Sequence, residues 1–123
     1  MILIILLIFL ANIILWSVGD GLNDSGKKVL GHSLKALSFL PILLSPFIIE
    51  TDYWAWYIAV YTLLRMALFD AGYNIARKLP IAYLGTSSLW DKFWQKTQSP
   101  ASWIIAAKIL FLITGIAMAI KEL

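Results

Sequence analysis

DGLNDSGKKVLGHSLK, residues Asp20 to Lys35, is the stretch that decides the fold, because apolar sequence leads up to it and resumes after it. It holds two of the seven Asp and Glu residues, three of the ten Lys and Arg residues and the only histidine. A polar segment between two long apolar runs is typical of the turn in a transmembrane hairpin. We therefore interpret it as a polar hinge on the cytoplasmic side of a membrane.

The composition also indicates a membrane protein. The chain of 123 residues is 61% hydrophobic and 14% charged, whereas a soluble domain is about half apolar and about a quarter charged. Small domains have the least favourable ratio of surface to volume, so this much apolar surface needs lipid as its solvent. The lack of cysteine excludes disulfides and thiol catalysis. We expect one membrane domain over residues 1–123 and no nucleic acid partner.

Four apolar segments predict an all-α integral membrane protein with four transmembrane helices. A hydrocarbon core of about 30 Å needs about 20 residues of helix. The predicted helices cover residues 2–19, 29–49, 53–70 and 100–120. A cleaved signal peptide is the alternative for the first run, but no Lys or Arg precedes it, which favours a retained helix.

The second segment leaves two topologies open. Pro41 and Pro46 lie inside it, and proline frees backbone carbonyls that a membrane tolerates only where protein or water satisfies them. Three spans with a re-entrant segment at 29–49 are therefore the alternative to four. Four spans place both termini outside and every basic loop in the cytoplasm, as the positive-inside rule requires. This pattern suits the bacterial inner membrane.

The segment before the last span predicts a short amphipathic helix over residues 88–96. Thr86, Ser87 and Ser88 offer N-terminal caps, and Leu89, Trp90, Phe93 and Trp94 share one face of such a helix. We expect this helix to lie in the headgroup region. The alternative is a loop that packs its tryptophans on the bundle. The predicted interfacial anchors are Trp54, Trp56, Trp90 and Trp94.

Two similar stretches predict an internal duplication. DGLNDSGKK begins at Asp20 and DAGYNIARK begins at Asp70. The apolar runs that follow each carry an early lysine, Lys35 in one and Lys108 in the other. A duplicated hairpin, as in many transporters, explains the similarity. The alternative is that cytoplasmic helix ends simply collect Lys and Arg.

Gly21 to Lys28 matches most of the phosphate-loop pattern, but Lys28 stands where a Ser or Thr holds Mg²⁺. A phosphate loop also needs a preceding strand and an α/β domain, for which this chain has no room. We therefore expect no nucleotide hydrolysis.

Polar residues near the cytoplasmic ends of the predicted helices form the candidate site. We predict a cluster open to the cytoplasm, made of Asp20, Asp24, His32, Arg65, Asp70, Asn74 and Lys108. Separate snorkelling of these side chains to the interface is the alternative. We expect His32 to be a hydrogen-bonded polar residue at a helix start. The alternative is a metal site of His32 with Asp20 and Asp24, which have suitable chemistry although the spacing is not diagnostic. Lipid headgroups are expected to bind Lys27, Lys28, Arg77 and Lys78.

No catalytic constellation is evident and the motifs point to no particular family. We therefore expect a small integral membrane subunit without enzymatic activity or cofactor. It is expected to act through self-association or within a larger complex, with a pore or channel as one form. The alternative is a membrane-embedded binder, or a Mg²⁺-dependent enzyme, that acts on an anionic lipid headgroup or phosphate.

Overall fold

The structure, a computed structural model, describes residues 2–48, 51–84, 89–98 and 100–121. Within these ranges every regular element is helical, which confirms the all-α part of the predicted fold class. The α-helices are α1 (Ile2–Asp24), α2 (Lys28–Leu44), α3 (Trp54–Ala76), α4 (Leu89–Lys96) and α5 (Ala101–Lys121). Two single 3₁₀ turns, Ser45–Phe47 and Thr51–Tyr53, lie between α2 and α3.

The first two helices form a hairpin whose turn is much shorter than the predicted polar hinge. α1 continues to Asp24 rather than ending near residue 19, and α2 begins at Lys28. Gly26 provides the reversal with a φ of +87°, a conformation that residues with a side chain rarely adopt. Packing against neighbouring helices outweighs the weak helix propensity of Asp, Asn and Gly, so most of the hinge is helical.

α1 and α2 approach closely where two glycines face each other. A Cβ atom added to Gly31 would lie 2.6 Å from the carbonyl oxygen of Gly19, and one added to Gly19 would lie 2.8 Å from that of Gly31. Such contacts are too short for any other residue. Small residues of this kind let membrane helices pack at short range.

α3 runs parallel to α1. Tyr61 contacts Asn12, and Tyr73, further along α3, contacts Asp24, further along α1. The two contacts occur in the same order along both helices, so α1 and α3 point in the same direction. α1 and α2 are antiparallel, so α2 and α3 also point in opposite directions.

α5 is antiparallel to α3. Lys108 near the start of α5 contacts Asp70 near the end of α3, and Gly115 later in α5 faces Leu64 earlier in α3. α2 packs mainly on α1, α1 on α3, and α3 on α5. The helices therefore follow one another side by side in the order α2, α1, α3, α5, with α2 and α5 on the outside.

The hydrophobic core lies towards the end of the helices away from the α1–α2 turn. Its buried members come from α1, α3 and α5 and are Ile5, Phe9, Ile13, Val60, Leu64 and Ala119. Lipid tails are as apolar as these side chains. Close van der Waals packing, and not the hydrophobic effect, is therefore what holds membrane helices together at such a surface.

Three helices are long and apolar enough to cross a membrane. They cover Leu3–Asp24, Lys28–Phe47 and Ala101–Lys121. The second of these corresponds to the segment predicted at 29–49, and its α-helix continues through Pro41. These lengths and compositions support an integral membrane protein.

α3 does not belong to this set, although its 23 residues would span about 35 Å. Arg65, Asp70 and Asn74 lower its apolar content. α3 packs between α1 and α5, so polar side chains on it contact other helices.

α4 has the predicted amphipathic sequence, and its Phe93 and Trp94 rings meet edge to face at 5.5 Å between centroids. The predicted caps at residues 86–88 and the side chain of Trp90 lie outside the described residues. The location of α4 in the headgroup region stays a prediction.

Candidate functional site

An Asp–Lys ion pair links the two helices of each hairpin. Lys35 Nζ on α2 donates to Asp20 Oδ1 on α1 at 2.8 Å, and Lys108 Nζ on α5 donates to Asp70 Oδ2 on α3 at 2.9 Å. These four residues are the ones that the predicted repeat aligns with each other. The ion pairs are the arrangement that a duplicated hairpin would have, although the duplication itself stays a prediction.

The two pairs differ in burial. The side chain of Lys108 is 9% exposed, whereas those of Lys35 and Asp20 are 40% and 27% exposed. A buried ammonium group is stable only with a partner, because removing one member of a buried pair leaves an uncompensated charge. Loss of Asp70 should therefore destabilise the protein more than loss of Asp20.

A third contact joins α1 and α3 beside the α1–α2 turn. The Tyr73 hydroxyl donates to Asp24 Oδ2, and Arg77 Nη1 donates to the Tyr73 oxygen at 3.1 Å. The guanidinium group of Arg77 also lies over the Tyr73 ring, 5.3 Å from its centroid. Asp24 is thus held by a tyrosine that is itself held by an arginine one helical turn later.

Arg65 lies at the middle of α3 between two aromatic rings. Its guanidinium carbon is 4.4 Å from the centroid of Trp16 on α1 and 4.2 Å from that of Phe69. One of its nitrogens donates a long hydrogen bond, 3.4 Å, to the hydroxyl of Tyr61. Among the described residues, no carboxylate forms an ion pair with Arg65.

Hydrogen bonds next to Arg65 connect the three helices α1, α2 and α3. The Tyr61 hydroxyl on α3 donates to Asn12 Oδ1 on α1 at 2.6 Å. The Asn12 amide then donates to the carbonyl oxygen of Ser38 on α2 at 2.7 Å. Asn12 is 1% exposed, so the one strongly polar residue of the predicted first span has hydrogen-bond partners inside the protein.

An apolar groove lies next to Arg65. It is bounded by α2 on one side and α3 on the other, with α1 as its floor, and its volume is about 430 Å³. Aromatic side chains make up much of its wall: Phe9, Trp16, Phe39, Trp54, Tyr57 and Tyr61. Trp16 and Tyr61, which both contact Arg65, form its inner end. Ser45, Pro46 and Trp54 lie at the opposite end, near the α2–α3 connection.

The contacts divide the predicted polar cluster into separate groups. Asn74 is 2% exposed, and its amide donates to the carbonyl oxygens of Ile81 and Tyr83, both at 3.0 Å. It therefore fixes the segment after α3 and does not contact the aspartates. His32 is exposed near the start of α2.

The predicted headgroup-binding and anchor residues have mixed exposure. Lys27, Lys28 and Lys78 are exposed, while Arg77 is half-buried on Tyr73. Trp54 is 66% exposed. Trp56 is half-buried and packs against the hydrophobic core.

The three aspartates of the predicted cluster all have partners within the protein. Asp20, Asp24 and Asp70 each contact an internal partner. Within the described residues, no three His, Asp or Glu side chains are grouped closely enough to hold a metal ion. No family model, curated protein or solved structure matches this chain.

Sequence reasoning did not assign roles to several of these partners. Tyr61 precedes Arg65 by one helical turn, and Tyr73 precedes Arg77 in the same way. A tyrosine four residues before an arginine is visible in the sequence and predicts a contact on one helix face. The groove could not be found in this way, because it depends on how three helices pack.

Proposed function

We propose that this chain is a four-span integral membrane protein in which α3 is the fourth span. The alternating directions of α1, α2, α3 and α5 support this topology. The exposed lysines of the α1–α2 turn and of the segment after α3 are then both cytoplasmic. The start of α1 and the end of α5 face the outside, in a bacterial inner membrane.

In this membrane the protein works as a non-enzymatic subunit that associates with copies of itself or with a larger membrane complex. The observation that carries this proposal is the side-by-side order of the helices. Because α2 packs mainly on α1 and α5 mainly on α3, both outer helices keep wide apolar faces. Leu43 on α2 is 66% exposed and Ile113 on α5 is 59% exposed. Lipid or another helix covers such faces.

A pore is the form of association with the least support. A conduit between copies would need polar side chains such as Asn12 and Lys108 at the contact, but both are buried within a single chain. A conduit between copies would need other residues on the outer faces of α2 and α5.

Two measurements test the association. Native mass spectrometry from mild detergent gives the copy number, and disulfide formation between introduced cysteines identifies the contact face. The chain contains no cysteine, so single variants give clean crosslinks. We expect a defined oligomer, with crosslinks for Leu43→Cys or Ile113→Cys. The matched control is Ser17→Cys, because Ser17 is 0% exposed. A monomer without crosslinks at either outer position in native membranes would exclude self-association and leave only a larger partner.

Binding of anionic phospholipid headgroups is a second candidate, and the exposed pair Lys27 and Lys28 favours it. Each basic residue near an anionic membrane surface contributes about 1 kcal/mol of attraction. We expect more phosphatidylglycerol than phosphatidylcholine to remain bound in native mass spectra. The double variant Lys27→Gln, Lys28→Gln should lose this preference, whereas the control Lys121→Gln at the far end of α5 should keep it. Equal retention of both lipids by the native chain would count against the candidate.

A further inference from the structure

We propose that the groove between α2 and α3 binds a single-chain amphiphile with an anionic head, of the class of a fatty acid. The hydrocarbon chain lies along the aromatic wall, and the carboxylate faces Arg65 at the inner end. This inference uses the four-span arrangement proposed above and is independent of the association.

The shape and lining of the groove suit a hydrocarbon chain. α2 and α3 both pack on α1 and hardly on each other, which leaves a groove over α1 that runs along the helices. Its volume of about 430 Å³ lies within the range of about 300–1,000 Å³ that is usual for small-molecule sites. Aromatic side chains such as Trp16, Phe39 and Tyr57 line the groove, and rigid rings provide contact surface at low entropic cost.

Arg65 lies beside the inner end of the groove, against Trp16 and Tyr61, and its charge selects the head of the ligand. Lys35 and Lys108 each have an aspartate partner, whereas Arg65 has no carboxylate partner among the described residues. The guanidinium group of Arg65 has five N–H donors and no acceptor. Ionisable residues inside a membrane are usually paired or mark a substrate site. An anion at this point would supply the missing partner.

Geometry favours a carboxylate over a phospholipid headgroup. Arg65 is the middle residue of α3, about 16 Å along the helix from Trp54. A bulky headgroup belongs at the membrane surface, whereas a carboxylate is small enough to lie at this depth. Arginine binds carboxylates with two parallel hydrogen bonds. Arg65 Nη1 donates to the Tyr61 oxygen, and the remaining N–H groups of its guanidinium group can supply these donors.

The test measures binding of three probes with the same hydrocarbon chain to the full-length protein. The probes are palmitate, hexadecanol and hexadecylamine, each carrying a photoreactive diazirine near the end of the chain. We expect palmitate to label peptides of α2 and α3 that line the groove, about tenfold more strongly than hexadecanol does. Hexadecylamine should label least, because its charge repels Arg65. Equal labelling by all three probes would overturn the assignment of an anion, and labelling confined to other surfaces would overturn the groove.

Variants separate the charge from the groove. Arg65→Gln should reduce palmitate labelling to the level of hexadecanol, and Arg65→Lys, which keeps the charge, should retain the preference. Ile58→Trp should fill the groove and reduce labelling by both probes, because Ile58 lines it. The control Lys96→Gln, an exposed cation on α4, should leave all labelling unchanged. Undiminished palmitate labelling of a folded Arg65→Gln protein contradicts the proposal. If the protein is monomeric and still prefers palmitate, self-association is refuted and the proposal for the groove stands.

Discussion

Lys108 is the only buried charged side chain among the described residues, and Asp70 is its counter-ion. We predict that Asp70→Asn lowers the free energy of unfolding by about 3 kcal/mol, the lower end of the range for breaking a buried pair, because Asp70 is partly exposed. Unfolding of the purified protein in detergent, followed by circular dichroism, measures this change.

Substitutions of two further aspartates serve as comparisons for the loss of stability in Asp70→Asn. Asp20→Asn removes the partner of a more exposed lysine and should cost less, about 1 kcal/mol or below. Asp52→Asn alters an exposed residue and should change stability by no more than about 0.5 kcal/mol. If Asp70→Asn behaved like Asp52→Asn, the ion pair would have no structural role.

Gly31 gives a prediction about backbone contact rather than charge. A Cβ at this position would lie 2.6 Å from the Gly19 carbonyl oxygen, so α1 and α2 would have to separate. Overpacking of this kind costs about 1–3 kcal/mol. Gly31→Ala should therefore lower the midpoint of thermal unfolding clearly. Ser33→Ala, on the exposed side of the same helix, is the control and should leave the midpoint nearly unchanged.

At the level of single residues, the sequence located the polar groups but not their partners. The repeat aligned Asp20 with Asp70 and Lys35 with Lys108, and these residues do form the two ion pairs. The alignment alone did not predict these ion pairs. Asp70 and Lys108 are separated by a long connection, so only the fold shows that they meet. Arg65 was expected among aspartates and instead lies between Trp16 and Phe69.

The hydrogen bonds of Asn12 operate at the level of helices, since they join α1 to both α2 and α3. Tyr61→Phe should weaken the α1–α3 contact by about 0.5–2 kcal/mol, the range found for hydrogen bonds between membrane helices. A double-mutant cycle with Asn12→Leu isolates the coupling between these two residues. Additive effects in the cycle would mean that the hydrogen bond contributes nothing to helix packing.

Helix boundaries were harder to predict than helix existence. α1 and α3 both continue beyond their expected ends near residues 19 and 70, to Asp24 and Ala76. Asp, Asn and Gly favour a boundary when only local propensity is considered. Packing of α1 against α2 and α3 supplies stabilisation that local propensity does not include, and it extends the helices.

α3 shows why apolar content alone is an incomplete guide to a span. Its polar residues Arg65, Asp70 and Asn74 keep it out of the set of strongly apolar helices. A helix that packs between two others can carry such residues, because their partners come from the protein. The outer helices α2 and α5 are largely exposed in a single chain and must be apolar to contact lipid.

For the whole molecule, the sequence predicted the all-helical class and the presence of several segments that are long and apolar enough to cross a membrane. The order of helices and the groove could not be predicted, because they depend on which faces meet. The same side-by-side order leaves α2 and α5 available for association and opens the groove beside α1. The two proposals therefore depend on one topology, in which α3 crosses the membrane.

Labelling of single cysteines with a membrane-impermeant maleimide tests that topology most directly, since the native chain has no cysteine. The variants are Lys27→Cys in the first turn, Asp52→Cys before α3, Ile81→Cys after α3 and Lys121→Cys at the end of α5. In intact cells, Asp52→Cys and Lys121→Cys should be labelled, while Lys27→Cys and Ile81→Cys should react only after lysis. Labelling of Asp52→Cys and Ile81→Cys from the same side would show that α3 does not cross the membrane and would contradict the account.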